Sequence, residues 1–106
     1  MKPDWLYLLL AALFEMSWPV GLKMAQGTGR VLLGTVIAGV GMALSGVFLY
    51  LAQRTIPIGT AYATWTGIGA AGTFCIGVIV YGDPATLGRM LGVFFIILGV
   101  VTLKLA

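Results

Sequence analysis

Glu15 stands in the stretch LYLLLAALFEMSWPVGL, with no other charged residue between Trp5 and Leu22. A medium of low dielectric penalises the charged form of a buried carboxyl group. An acid retained at that cost inside an apolar segment marks a functional site by default. It can hold a proton or a cation, and the two compete for the same oxygens. That competition is the minimum chemistry of proton-coupled cation export.

Other residues are spaced to help. Trp18 lies three positions after Glu15 and shares its helix face, and Tyr62 and Trp65 repeat the same interval. A Tyr62 hydroxyl can donate to a carboxylate. Trp18 and Trp65 each offer an indole N–H and a flat ring. A planar cation such as guanidinium suits such a set, because it can donate a bidentate pair to the acid and stack between aromatic walls. Ser45 is placed to orient the aromatic N–H groups or the acid. The plainer alternatives stay open: aromatic pairs at this spacing also serve packing, and a serine within a helix often bonds its own backbone. Pro19 removes the hydrogen bond to the carbonyl four residues back, which belongs to Glu15. The freed oxygen either joins the site or is satisfied by a neighbouring helix.

The elements that must hold these groups follow from composition. Of 106 residues, 60% are hydrophobic and only 8% charged, and the mean hydropathy is +1.09. A soluble domain of this length needs far more polar surface. A spanning helix takes about 20 residues, so about four fit, with no space for a soluble catalytic domain. The net charge of +3 is scattered, which gives no reason to expect nucleic-acid binding. The absence of histidine and the single Cys75 argue against a metal centre and exclude an intrachain disulfide. No cofactor is expected. The first apolar segment lacks a clean small-residue cleavage site after it, so it reads as a mature helix rather than a signal peptide.

The sequence predicts spans over about 4–24, 31–53, 57–81 and 85–105 in a single domain covering 1–106. Ala25–Arg30 is a short Gly-rich linker. Arg54–Pro57 forms the second turn, with Pro57 suited to a helix start. Gly82-Asp83-Pro84 reads as the third turn, with Asp83 as N-cap and Pro84 as the first helical residue. Trp5, Tyr7, Tyr50 and Tyr81 fall near the span ends, as an interfacial aromatic belt would, and Lys23 can snorkel from the end of the first span.

Depth brings the candidate residues into one layer. At about 1.5 Å per residue, Glu15 lies roughly 15 Å beyond Trp5, near the midplane of a core about 30 Å thick. Trp65 lies roughly 12 Å beyond Pro57, and Ser45 a similar distance back from Gln53. All three are counted from the same membrane face. The turns are short, so neighbouring helices run antiparallel. Lys2, Arg54 and Lys104 then share one side, and Lys23, Arg30 and Arg89 the other. Such even division gives almost no orientation preference by the positive-inside rule. Either the protein is oriented by other means, or both orientations insert and two copies pair antiparallel. Small residues crowd the third span, where Gly67-Ile68-Gly69 is a candidate bend. In the fourth, Gly92 and Gly99 share a stripe that reads either as a helix-pairing face between subunits or as packing within one.

The FExxW pattern of Phe14, Glu15 and Trp18, the following Lys23, and PIGTAYATWTGIGA from Pro57 to Ala70 resemble the small multidrug resistance family, and more closely its guanidinium-exporting branch. The resemblance covers essentially the whole chain. It implies an all-α membrane protein of the bacterial inner membrane, built as an antiparallel, dual-topology homodimer of four-helix subunits. It also implies that Glu15 of both copies takes substrate and protons in turn, with Trp18, Ser45, Tyr62 and Trp65 completing the site. Pro19 departs from the small residue commoner after that tryptophan. The expected activity is proton-coupled antiport of guanidinium ion and small guanidinyl compounds, with a quaternary ammonium exporter of the same family as the alternative. A proton-carrying rotor subunit fits less well, since such proteins are typically two-helix hairpins with the acid on the second helix. A structural membrane subunit without transport of its own is the remaining class.

Overall fold

The computed structural model describes residues 3–27 and 29–106. Lys2, one of the six basic residues weighed above, lies outside the described residues. The described residues fold into four helices: α1 (Pro3–Ala25), α2 (Val31–Ala52), α3 (Ile58–Tyr81) and α4 (Leu87–Leu105). All four are long and apolar enough to cross a membrane.

Small side chains decide how these helices meet. α1 packs on both α2 and α3, α3 also carries α4, and α2 barely touches α3. The residues that α2 buries are Gly34, Ala38, Gly41, Ser45 and Ala52, a stripe on one helical face with no side chain larger than serine. Apolar side chains are no better off against each other than against lipid, so close backbone approach supplies much of the attraction between membrane helices. Here the approach is backbone to backbone. A Cβ atom on Gly21 of α1 would stand 2.6 Å from the Gly34 carbonyl oxygen and 2.7 Å from the Ala38 nitrogen. Toward one end, Leu8, Ala52, Ile56 and Ala61 form a small core under Trp5, Tyr7, Leu49 and Trp65. Phe48 of α2 stacks on Phe14, with centroids 5.8 Å apart and planes 3° from parallel.

α4 differs from the rest. It buries none of its residues, and the space beside Gly88, Gly92 and Gly99 is open. The stripe read from the sequence therefore does not pack within this chain. Gly67 does: a Cβ there would meet Val100 Cγ2 of α4 at 2.6 Å. α3 runs without a break through Gly67-Ile68-Gly69.

The turns bring one correction. Asp83 and Pro84 do not start the fourth helix. Gly82, at φ 68°, closes α3 in the left-handed conformation, and the Asp83 N–H donates to the Gly77 carbonyl at 3.0 Å. Asp83 is thus held to the end of the preceding helix, and the chain stays irregular until Thr86. Thr86 has extended backbone, and its hydroxyl accepts from the Arg89 N–H at 3.3 Å, the standard service of an N-cap threonine. Pro57 likewise precedes its helix by one residue, as the N-cap of α3.

The α1–α2 contact leads to a test. A single methyl at position 34 would collide with the Gly21 carbonyl oxygen and the Ala25 nitrogen, and neither can move aside as a side chain could. Gly34→Ala is expected to destabilise the fold by about 1–3 kcal/mol, the usual cost of overpacking, while Gly39→Ala, which meets open space, stays near neutral. Thermal unfolding in detergent, followed by circular dichroism, measures both.

Candidate functional site

α1 presents Glu15 and Trp18 on the face that meets α3. Both are half-buried, and the Trp18 indole Nε1–H donates to Glu15 Oε1. The three-residue interval of a helix makes this pair without help from any other element. The path past Glu15 depends on α3. A Cβ on Gly69 would lie 2.7 Å from Glu15 Cγ, so only glycine leaves room for the acid's chain between the helices. Glu15 and Gly69 fit as a bump fits a notch.

One turn before Gly69, Trp65 lines the same cleft, and Tyr62 lies against it with ring centroids 5.4 Å apart at 54°. Glu15, Trp18, Tyr62 and Trp65 thus converge on one cleft of about 450 Å³, within the size range of small-ligand sites. Pro19 also lines it, inside a helix that continues to Ala25.

Ser45 takes a different place. It is fully buried behind the cleft wall. Its hydroxyl donates to the Ala11 carbonyl at 2.7 Å and accepts from Trp65 Nε1 at 2.8 Å. The serine thereby ties α2 to α1 and holds the N–H edge of the Trp65 ring. Among the described residues the donor to Glu15 is Trp18 rather than Tyr62, whose ring is 59% exposed. Gly67, Gly92 and Gly99 do not line the cleft.

The sequence reading missed other residues of the wall. Met42 reaches the cleft from α2, and Thr66, Ala70 and Thr73 line it from α3. Thr66 and Thr73 bracket Gly69 at helical intervals, a signal that was available once Gly69 was known to face Glu15. Met42 gave no signal, because nothing in its apolar surroundings distinguishes it. Thr64 is buried, with no partner for its hydroxyl among the described residues; the structure offers no explanation for it.

The chemistry of the cleft is therefore one carboxyl group with a single indole donor, set among aromatic faces and small polar hydroxyls. No group of three or more residues able to hold a metal ion occurs among the described residues. A cation entering beside Glu15 meets a carboxyl group and flat rings, the combination that favours planar, delocalised cations.

Comparison with known proteins gives two findings. The family model described as Small Multidrug Resistance protein matches residues 3–96. A protein of Yersinia pseudotuberculosis named guanidinium exporter is 44% identical over 102 residues, covering 96% of this chain and 97% of that protein. Proteins of the same name from Salmonella typhimurium and Citrobacter freundii are each 42% identical over 103 residues, covering 97% of both chains.

The hydrogen bonds of Ser45 predict a positioning effect. Ser45→Ala takes the acceptor from the part-buried Trp65 N–H, an omission that costs about 0.5–1.5 kcal/mol. The variant is expected to be less stable by that amount and to show altered tryptophan fluorescence. Ser45→Thr, which keeps the hydroxyl, is expected to retain the native emission spectrum.

Proposed function

The chain belongs to the small multidrug resistance family, and on that premise we propose that it is a proton-coupled antiporter exporting guanidinium ion and small guanidinyl compounds. It is a multi-pass protein of the bacterial inner membrane. The observation that carries the proposal is the cleft of Glu15, Trp18, Tyr62 and Trp65 between apolar helices. A guanidinium ion placed there donates two parallel N–H bonds to the Glu15 carboxylate and lies against the indole rings. Before it binds, the carboxylate has one donor among the described residues, Trp18, so oxygen lone pairs remain for the cation. A proton on the same carboxyl group removes the charge that holds the cation. Export then needs only that proton and cation occupy Glu15 alternately, on opposite sides of the membrane.

The cleft of one subunit is open. Met42, Tyr62, Thr66 and Ala70 on its wall are exposed, and α4 buries none of its residues. A second copy packed antiparallel would cover these surfaces and bring a second Glu15 to the midplane. The open stripe of Gly88, Gly92 and Gly99 suits close helix pairing between the copies. Alternating access follows if the two copies exchange roles. The cleft is larger than guanidinium requires, which leaves room for a substituent on one nitrogen. A quaternary ammonium ion has no N–H to give Glu15, and its transport would rest on apolar contact alone.

Proteoliposomes with a proton gradient test this reading. Guanidinium uptake against the gradient is expected for the native chain and a loss of at least about a hundredfold for Glu15→Gln, the scale of removing a charge-assisted bidentate contact. Lowering the pH on the substrate side is expected to raise the apparent KM for guanidinium, because protons then hold Glu15. Guanidinium uptake undiminished in Glu15→Gln, or tetraethylammonium uptake equal to that of guanidinium, would overturn the assignment.

A further inference from the structure

The cleft does not stop at Glu15. Pro19 and Thr73 line it and also line a second groove of about 170 Å³ between the C-terminal halves of α1 and α3. This groove leads away from the acid toward the ends of both helices. Its mouth is made by Lys23, Tyr81 and Asp83, none of which belongs to the site described above.

Three observations give the mouth a chemistry. The end of α3 directs its last carbonyl groups outward, the negative pole of the helix dipole. Asp83 adds a full negative charge at that same pole, an arrangement that is unfavourable unless a cation offsets it. Its position is built: the main chain is tied to the Gly77 carbonyl at 3.0 Å, and the carboxylate folds back over Gly77, where any Cβ would collide with Oδ2. Finally, an ammonium already occupies the aromatic surface, since Lys23 Nζ stands 5.8 Å from the centroid of the Tyr81 ring. The other cation near Asp83 is Arg89, which lines an adjoining groove and donates to the Thr86 hydroxyl at 3.3 Å.

We infer that this mouth is a second cation site, a waypoint between Glu15 and the membrane surface, where a guanidinium-type ion stacks on Tyr81 in place of the Lys23 ammonium and pairs with Asp83. The inference rests on the antiporter reading for its substrate. Guanidinium is planar and more weakly hydrated than an ammonium, so it is better suited to an aromatic face. Lys23 is a tethered competitor. It holds the mouth while the site is empty and releases the leaving cation by returning to the ring. Gly77 is required at its position because the carboxylate must lie over the helix end to reach the groove.

The mouth can be examined without the central acid. Guanidinium chloride at millimolar concentration is titrated into the full-length Glu15→Gln protein in nanodiscs, with the Tyr81 ring resonances followed by NMR. Saturable shifts at Tyr81 are expected. Adding Asp83→Asn is expected to abolish them, and adding Lys23→Gln to lower the apparent Kd. In the otherwise native chain, Asp83→Asn is expected to reduce kcat/KM for guanidinium uptake by about two- to fivefold, the worth of one partly screened charge contact, with proton competition at Glu15 intact. No saturable shift at Tyr81, or Asp83→Asn uptake equal to native, would overturn the inference. A native chain that failed to transport guanidinium would instead count against the antiporter reading, and the ring titration would still decide the mouth.

Discussion

An acid between membrane helices has to find its hydrogen-bond donors within the protein, because the lipid hydrocarbon offers none. Everything around Glu15 follows from that constraint together with a second one. The helices on either side must come close enough to hold together without a hydrophobic drive between them. The chain meets both by pairing Glu15 with Trp18 on its own helix and by omitting a side chain at Gly69 on the opposite one. The donor is local, so the carboxylate does not depend on a distant element for its first partner. The notch is not local, so the acid's course between the helices depends on the packing of α1 against α3.

The same economy of side chains organises the supporting layers. α2 offers α1 a stripe of glycine, alanine and serine, and the one polar atom in that stripe, the Ser45 hydroxyl, is used twice, by Ala11 and by Trp65. A residue chosen for smallness thus also sets the orientation of an aromatic wall. α4 has no such role within the subunit. Its apolar surface is available for contacts beyond the chain, and the cleft is correspondingly open on the side that its own helices do not cover.

The two ends of the bundle are treated differently. At one, Lys104 sits over the Trp5 ring at 4.5 Å and Thr55 donates to Asp4. At the other, Lys23 sits over Tyr81 and Asp83 turns back over Gly77. Ammonium groups on aromatic rings at both ends suit an interface where the ring body is apolar and the charge stays near water. At this second end a groove lined by Pro19 and Thr73 connects the charged mouth to the cleft of the interior acid.

Periodicity, length and composition were enough to place four spans, and each helix begins and ends within two residues of its sequence-predicted limits. The shared face of Glu15 and Trp18, and that of Tyr62 and Trp65, were also legible, since intervals of three residues bring side chains together on any helix. The third turn was misread because both Asp83 and Thr86 have good N-cap chemistry. What decided between them was the left-handed Gly82 and the bond from Asp83 back to Gly77, a competition between two helix ends that no local pattern weighs. Ser45 was legible as a polar outlier at the right depth, but its role behind Trp65 was not, because that depends on how far α2 rotates toward α1. By itself, then, the amino-acid sequence determined which segments are helices and which residue carries the charge, because these are properties of neighbours along the chain. Only the tertiary structure decided that Gly69 makes room for Glu15, that Met42 reaches the cleft and that Gly92 and Gly99 face outward, because these depend on the rotation and separation of whole helices.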